Sequence, residues 1–219
     1  MTIGVLDSGI GGTSILHGLE QALPHHRYIY KSDEKNFPYS SKSDTELKNI
    51  AIQNVRELLD QGAQLIVVAC NTLTVSALAH LRQTFPNVPF VGTVPAIKKA
   101  TEELPPDAAI LVLATIHTAH SPYLHDLIET HSQEQQFIIV GTTELVKAIE
   151  ENDTDWTTEI LKQLLEKRSK ETHIDGLIIG CTHFSLVENE IRSVISYPIK
   201  IFDSVDGIVK QVKKLTASP

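Results

Sequence analysis

Residues Leu65–Thr72 read LIVVACNT, and residues Leu177–His183 read LIIGCTH. Each segment is a short apolar run that meets a cysteine and then continues with polar residues. Runs of Ile, Val and Leu without polar alternation are typical of strands in a parallel sheet that is covered on both faces. Both segments therefore predict a buried parallel strand with a cysteine at its carboxyl end.

Six further apolar runs resemble these two, and longer amphipathic stretches separate them. One such stretch, Thr45–Gln61, carries its apolar residues on one stripe at helical spacing, and Gly62 follows it as a helix stop. Alternation of strands and helices indicates an α/β protein with parallel sheets. The predicted strands are Ile3–Leu6, Tyr28–Tyr30, Leu65–Ala69, Phe90–Val91, Ile110–Leu113, Phe137–Val140, Leu177–Ile179 and Ile199–Phe202.

The chain repeats this pattern once. Cys70 and Cys181 lie 111 positions apart, and the first, second and fourth predicted strands recur at offsets of 107 to 110. A chance echo between two α/β segments is the alternative explanation. We expect two pseudo-symmetric α/β domains, each a mainly parallel sheet flanked by helices, with a central cleft between them. The break at Pro105-Pro106-Asp107 falls where we expect the halves to join.

The composition excludes several classes of partner. The chain has 219 residues, of which 42% are hydrophobic, and a net charge of −8 with no basic run, so a nucleic-acid partner is disfavoured. No apolar stretch approaches the length of a membrane span, and the amino terminus lacks the basic start of a signal peptide. We therefore expect a cytoplasmic protein whose two cysteines stay reduced.

The cysteines occupy the positions where an α/β sheet binds ligands, at the carboxyl ends of strands. Inverting a stereocentre by proton transfer needs a base on one face of the substrate and an acid on the other, and two opposed thiols can supply both. A helix that begins at each cysteine is expected to lower the thiol pKa. Asp7 and His183 are candidates for tuning the thiols further. Hydroxyl and backbone N–H groups at the helix starts are candidates for binding substrate carboxylates, at Ser8, Asn71, Thr72 and Thr182.

Other interpretations of the cysteines stay open. Cysteine is also a common inert core residue, and a disulfide is poorly motivated in the cytoplasm. A zinc site at Cys181 and His183 lacks the usual paired-ligand spacing. His117, His120 and His125 indicate a solvated helix start rather than a metal cluster, so no metal site is predicted.

The loop Asp7–Gly12, DSGIGG, follows a strand and opens a helix, as a dinucleotide-binding loop does. Its spacing departs from that motif because Ser14 takes the place of the third glycine. Asp7 would also repel a pyrophosphate, so the loop suits a small anion better than a nucleotide. A plain helix N-cap is the alternative role for Asp7.

Three motifs closely resemble those of the glutamate racemases. They are GVLDSGIGG at Gly4–Gly12, VACNT at Val68–Thr72 and GCTHF at Gly180–Phe184. The resemblance runs essentially from end to end of the chain. The opening Asp-Ser-Gly points to the glutamate branch of the wider aspartate/glutamate racemase superfamily.

The resemblance implies an activity and a domain layout. Glutamate racemases interconvert L- and D-glutamate without pyridoxal phosphate or a metal, and D-glutamate enters bacterial peptidoglycan. The resemblance also implies a C-terminal helix that returns to the first domain, which is expected over residues 1–97 and 204–219, with the second over residues 98–203. A homodimer is a common assembly for two-domain enzymes of this size, although the sequence marks no interface.

The same resemblance assigns roles to individual residues. Cys70 and Cys181 match the catalytic pair, Asp7 and His183 match the residues that assist acid/base transfer, and Glu150 matches a further acid. The positions that match substrate contacts are Ser8, Pro38, Tyr39, Asn71, Thr72, Thr115, Thr118 and Thr182.

Ser40 departs from the family pattern, which has a glycine after the Pro-Tyr pair. A serine there adds bulk or a new hydrogen bond beside the substrate, and we include Ser40 among the substrate-binding candidates. Because of this serine and a short second half, a second hypothesis stays open: a racemase or isomerase that acts on aspartate or another small acid. The third hypothesis is a non-catalytic protein that closes its halves on an anionic ligand.

Overall fold

All strands in the described part of the chain belong to two parallel sheets of four strands each. The computed structural model describes residues 1–217. The chain forms two compact units: Met1–Val94 together with the described residues from Ser204 onward, and Pro95–Asp203. Over residues 1–217, no helix combines the length and the apolar character needed to cross a membrane.

The first unit contains a sheet with the strand order β2-β1-β3-β4. Its strands have apolar side chains on both faces, and helices cover both faces, as the unbroken apolar runs predict. Short 3-10 turns at Glu34–Asn36 and Tyr39–Ser41 lie between the second strand and the helix that follows it. The elements are β1 (Thr2–Asp7), α1 (Thr13–Ala22), β2 (Arg27–Ser32), α2 (Asp44–Asp60), β3 (Leu65–Val68), α3 (Asn71–Thr84) and β4 (Phe90–Gly92).

The second unit repeats this plan with the strand order β6-β5-β7-β8. A π-helical turn at Lys162–Glu166 joins two of its helices, and a 3-10 helix at Thr182–Val187 follows the third strand. The elements are α4 (Ile97–Glu103), β5 (Ala109–Ala114), α5 (Ile116–Ala119), α6 (Pro122–His131), β6 (Gln136–Gly141), α7 (Glu144–Glu150), α8 (Thr154–Leu161), α9 (Lys167–Glu171), β7 (Gly176–Gly180), α10 (Glu188–Val194) and β8 (Lys200–Phe202).

The predicted α/β architecture of two parallel-sheet halves is confirmed. All eight predicted strands form, each within two residues of its predicted ends, and α2 matches the predicted helix to within one residue. Ser43 and Glu46 form a capping box at the start of α2, and Gly62 adopts φ +90° just beyond its end.

The predicted junction at Pro105–Asp107 was wrong. This turn lies inside the second unit, between α4 and β5. The reason is that Ile97 and Ala100 of α4 are buried in the apolar core of the second sheet, together with Ile110. The chain therefore enters the second unit at Pro95, and residues 95–97, which we expected in the first domain, are part of the second unit.

The last helix, α11 (Val205–Thr216), packs in the first unit against α1. Its Ile208 and Val212 are buried in the same apolar cluster as Ile15 of α1. Gly18 lets the two helices approach closely, because a Cβ atom there would overlap Val205. Small residues at a helix crossing have this effect wherever two backbones come near each other.

Gly18, at this crossing, and Gly207, away from it, give a matched test. Gly18→Ala should lower the free energy of unfolding by about 1–3 kcal/mol, because Val205 is β-branched and has little freedom to move aside. Gly207→Ala, on the exposed side of α11 with no atom within 4 Å, should be neutral or stabilising by up to about 1 kcal/mol. Urea unfolding of both variants measures the difference, and equal midpoints would contradict close packing of α11 on α1.

Candidate active site

The candidate residues of the first unit gather at the carboxyl ends of β1 and β3. β1 ends at Asp7, and the neighbouring strand β3 continues through Ala69 into Cys70. Leu6 pairs with Val68 in the parallel register, so Asp7 and Cys70 leave adjacent strands at the same edge of the sheet. Asp7 is fully buried, and Cys70 is 7% exposed.

The loop after β1 folds tightly over Asp7. The Oδ1 atom of Asp7 accepts a hydrogen bond from the Gly9 N–H at 3.0 Å, and the Tyr30 hydroxyl donates to the Gly9 carbonyl at 2.6 Å. A Cβ atom at Gly12 would lie only 2.8 Å from the Cβ of Asp7, so the glycine there permits the loop to pass. Gly12, not Asp7, holds the N-cap position of α1, which removes the simple capping role that we kept as an alternative.

The surroundings of Cys70 raise its thiol pKa. Burial raises the pKa of the Cys70 thiol to about 12, and the charge of Asp7 acts in the same direction. The N–H groups of Leu73 and Thr72 and the Ser8 hydroxyl bond to the sulfur and favour the thiolate, but they do not outweigh the loss of water. The N–H groups at the start of α3 thus lower the pKa as expected, but the predicted net lowering was wrong for Cys70, which is a protonated thiol at neutral pH.

Tyr39 lies near the same residues. Burial is the largest cause that raises its phenol pKa well above the ordinary value, and the hydrogen bond to Asp33 and the negative charges of Asp33 and Asp7 raise it further. The phenol is therefore neutral, and it lies within electrostatic reach of the candidate acid/base residues. The Oγ atom of the adjacent Ser40 is buried and has no hydrogen-bond partner among the described residues.

The remaining candidates of the first unit surround the start of α3. Ser8, Asn71 and Thr72 are all buried, and the Asn71 side chain donates to the Thr93 carbonyl at 3.4 Å. That bond ties the start of α3 to the residue that follows β4. Pro38 precedes the turn that carries Tyr39.

The second unit presents its candidates at the equivalent edge. Ala114 pairs with Gly180, so Thr115 and Cys181 leave the adjacent strands β5 and β7 side by side. The Thr115 hydroxyl caps α5: its Oγ1 accepts from the Thr118 N–H at 3.1 Å and donates to the Thr118 Oγ1 at 3.0 Å.

A buried histidine, His183, pairs with the partly exposed Glu150 in this unit. The Nε2 atom of His183 lies 2.7 Å from the Oε2 atom of Glu150, and the histidine side chain is only 2% exposed. Glu150 is the last residue of α7, which packs against the 3-10 helix that contains Thr182 and His183. The structure thus brings Glu150 into contact with His183, which follows Cys181 by two positions in the sequence.

The candidate residues of the two units differ in the element that follows each cysteine. Cys70 precedes the fourteen-residue α-helix α3, whereas Cys181 precedes a six-residue 3-10 helix. Neither cysteine forms a disulfide. Within residues 1–217, no three His, Cys, Asp or Glu side chains are grouped as metal ligands.

Three further polar residues of the first unit received no role from the sequence. Asp33 follows β2 directly, so the strand-end rule marks its position but does not reveal its partners. Asn54 is a polar residue within the apolar stripe of α2, and its helical spacing from the apolar residues of that stripe predicts that it is buried. Thr93 follows β4, and its fully buried hydroxyl has no partner among the described residues.

Comparison with known proteins gives consistent results. A family model described as Asp/Glu/Hydantoin racemase matches residues 3–212. The glutamate racemase of Clostridium acetobutylicum is 34% identical over 215 residues, which cover 97% of this chain and 82% of that protein.

Two crystal structures of glutamate racemases match almost the whole chain. The Escherichia coli enzyme, in complex with L-glutamate and the activator UDP-MurNAc-Ala, gives a TM-score of 0.90 at 32% identity and covers 98% of this chain and 81% of that one. The Francisella tularensis enzyme, in complex with D-glutamate, gives a TM-score of 0.78 at 26% identity and covers 98% and 80%.

The effect of Asp7 on Cys70 can be measured directly. Asp7→Asn keeps the acceptor for the Gly9 N–H and removes the charge that raises the thiol pKa, so Cys70 should react with iodoacetamide about 3- to 10-fold faster at pH 8–9. Mass spectrometry of the peptides separates Cys70 from Cys181.

The matched control is Asp60→Asn, which makes the same change in net charge at an exposed position at the end of α2. It should leave the alkylation rate of Cys70 as in the wild type. Slower or unchanged alkylation in Asp7→Asn would contradict the electrostatic effect of Asp7.

Proposed function

The chain belongs to the Asp/Glu/Hydantoin racemase family, and we propose that it interconverts L- and D-glutamate by moving the α-proton between two thiols. The observation that carries the proposal is the duplicated strand end. Cys70 and Cys181 follow equivalent strands of two sheets that share one strand order. A racemase must serve both faces of one carbon atom, and a duplicated fold with one thiol in each copy provides two equivalent proton carriers.

Glutamate is the substrate that the relatives favour. The solved E. coli and F. tularensis enzymes hold L-glutamate and D-glutamate respectively, which are the two sides of the proposed equilibrium. Ser8, Asn71 and Thr72 in one unit, and Thr115, Thr118 and Thr182 in the other, offer hydroxyl, amide and N–H groups of the kind that bind carboxylates. We assign substrate binding to these residues and to Pro38, Tyr39 and Ser40.

The proposed reaction transfers one proton at each face of Cα. One cysteine, as the thiolate, takes the α-proton, so that a Cα–H bond breaks and an S–H bond forms. The opposing cysteine, as the thiol, gives its proton to the other face and becomes the thiolate. The product has the opposite configuration, and the reverse reaction exchanges the roles of Cys70 and Cys181.

The high pKa of Cys70 suits the role of proton donor and opposes the role of proton acceptor. As a thiol it is ready to donate a proton. To accept one it must first lose its own, and Asp7 is the adjacent carboxylate that we propose as the acceptor. The positively charged ammonium group of a bound amino acid would stabilise the resulting thiolate.

We assign the corresponding assistance at Cys181 to His183 and Glu150. The hydrogen bond between Nε2 and Oε2 fixes the plane of the imidazole ring, and an oriented imidazole is a common proton carrier near neutral pH. The two cysteines are thus assisted by different groups, a lone carboxylate in one unit and an imidazole–carboxylate pair in the other.

The reaction fits a biosynthetic role. D-Glutamate is a component of bacterial peptidoglycan, so we propose that the enzyme supplies this amino acid for cell-wall synthesis and thereby supports cell shape. The mechanism needs both cysteines in the reduced form, which favours the reducing environment of the cytoplasm.

Incubation of the reduced protein with L-glutamate in D₂O, without added cofactor, tests the activity. We expect loss of optical rotation and deuterium at Cα in the product, with L-aspartate reacting much more slowly. Cys70→Ser and Cys181→Ser should each lower kcat/KM by at least about 1000-fold, because a hydroxyl is a far weaker acid than a thiol.

Thermal unfolding of both serine variants serves as the control for folding. Racemisation at the wild-type rate by either variant would exclude the two-thiol mechanism. Faster turnover of L-aspartate than of L-glutamate would place the protein in the aspartate branch. If the wild type shows no turnover and glutamate still binds after loss of both thiols, the protein is a binding protein.

Glu150→Gln tests the assignment of the second acid/base pair. The amide oxygen can still accept from His183, so the fold should persist, while loss of the charge should reduce kcat by about 10- to 100-fold. Glu151→Gln, at the next and exposed position, is the matched control and should retain full activity. Equal kcat values for the two variants would contradict the role of Glu150.

A further inference from the structure

Asp33 is a buried acid that the proposed mechanism does not use. It follows β2 directly and is 6% exposed. Its N–H donates to the Asp7 carbonyl at 3.0 Å, which ties it to the end of β1. Asp33 therefore lies beside the candidate residues of the first unit, but it is not one of the groups assigned to substrate binding or to proton transfer.

The carboxylate of Asp33 joins three separate elements. Its Oδ2 atom accepts from the Tyr39 hydroxyl at 2.7 Å and from Asn54 of α2 at 2.8 Å. Asn36, in the 3-10 turn after β2, donates to both carboxylate oxygens at 3.0 and 2.9 Å. Asn54 also donates to the Tyr39 oxygen at 3.3 Å, which closes a ring of hydrogen bonds around the phenol.

The carboxylate is charged at neutral pH. Burial alone would raise the pKa of Asp33, but the hydrogen bonds from Tyr39, Asn36 and Asn54 and the charge of Lys31 outweigh it and lower the pKa. A charged acceptor makes stronger hydrogen bonds than a neutral one. Loss of the Tyr39 bond would also leave part of a buried carboxylate unsatisfied, which is costly.

We propose that Asp33 is a positioning residue for substrate binding, which fixes Tyr39 and with it the Pro38–Ser40 segment beside Asp7 and Cys70. The proposal rests on the proposed function, because it takes Pro38–Ser40 to be a substrate-contact segment. Asp33 acts through Tyr39, and its own oxygens are engaged by donors from within the unit.

This role predicts a specific kinetic signature. Cys70 and Asp7 are held at the ends of β3 and β1, so the proton-transfer groups keep their places when the Pro38–Ser40 segment loosens. The segment instead loses its fixed position against the substrate. KM should therefore rise while kcat changes little, whereas a general loss of structure would reduce the amount of active enzyme at unchanged KM.

Two variants act on the same hydrogen bond from opposite ends. Asp33→Asn keeps the shape but replaces the charged acceptor by a weaker, neutral one, and Tyr39→Phe keeps the ring and removes the hydroxyl. Each should raise KM for L-glutamate by about 10-fold or more, with kcat within about threefold of the wild type. Because both act on one contact, the double variant should raise KM little beyond the larger single effect.

Asp175→Asn, at a partly exposed carboxylate, is the control for the same change of residue outside the candidate site. Asp175 accepts from the Ala109 N–H at 2.8 Å, at the amino end of β5 and away from the candidate residues. This variant should lose stability and keep the wild-type KM. If Asp33→Asn fails to fold, Tyr39→Phe decides the question, because the hydroxyl that it removes is the group bonded to Asp33 and Asn54, while the charge of Asp33 and its bonds from Asn36 and Asn54 stay in place.

Protection of Cys70 from iodoacetamide by L-glutamate gives a second readout that is independent of turnover. Half-protection should need about 10-fold more glutamate in both variants. Suppose that the wild-type protein racemises glutamate, and that Asp33→Asn and Tyr39→Phe keep the wild-type KM and need no more glutamate for half-protection. That result would overturn the positioning role alone. A wild-type protein that shows neither turnover nor protection would overturn the proposed function and this inference together.

Discussion

Parallel pairing of buried strands is the constraint on which the candidate site depends. In each unit, two central strands run side by side and end at one edge, and the residues just beyond their ends are forced together. The register of β1 and β3 brings Asp7 next to the cysteine that follows β3, and the register of β5 and β7 does the same for Thr115 and Cys181. Alternate residues of these strands pack against the helices on opposite faces of the sheet, so a slip by one residue would exchange the two packed faces.

The same plan produces two different chemical environments. In the first unit, a thiol is packed beneath a helix start and beside a fully buried carboxylate, so the charged form of the sulfur is disfavoured. In the second, the residues after the thiol form a 3-10 helix, which turns His183 inward to meet Glu150. Duplication thus accounts for the equivalence of the two positions in the fold, and divergence of the following segments accounts for their different neighbours.

The fold was largely predictable from the sequence, and the site was predictable only in part. Unbroken Ile, Val and Leu runs mark strands whatever the tertiary structure, which is why all eight were found. The direction of the Cys70 pKa was wrong because a helix start is visible in the sequence, whereas burial is a property of the folded unit. The hydrogen bond from Asn54 to Asp33 joins residues 21 positions apart, and no local pattern encodes such a contact. The domain boundary was misplaced because Ile97 is packed by tertiary contacts that a proline pair does not reveal.

The return of α11 to the first unit has a consequence for synthesis of the chain. The second unit is contiguous, so it is complete once Asp203 has been made, and it can fold while the chain is still growing. The first unit begins earlier but lacks Ile208 and Val212 of its core until α11 has left the ribosome. Maturation therefore runs against the order of translation, and the half with Cys70 is the last to reach its native packing.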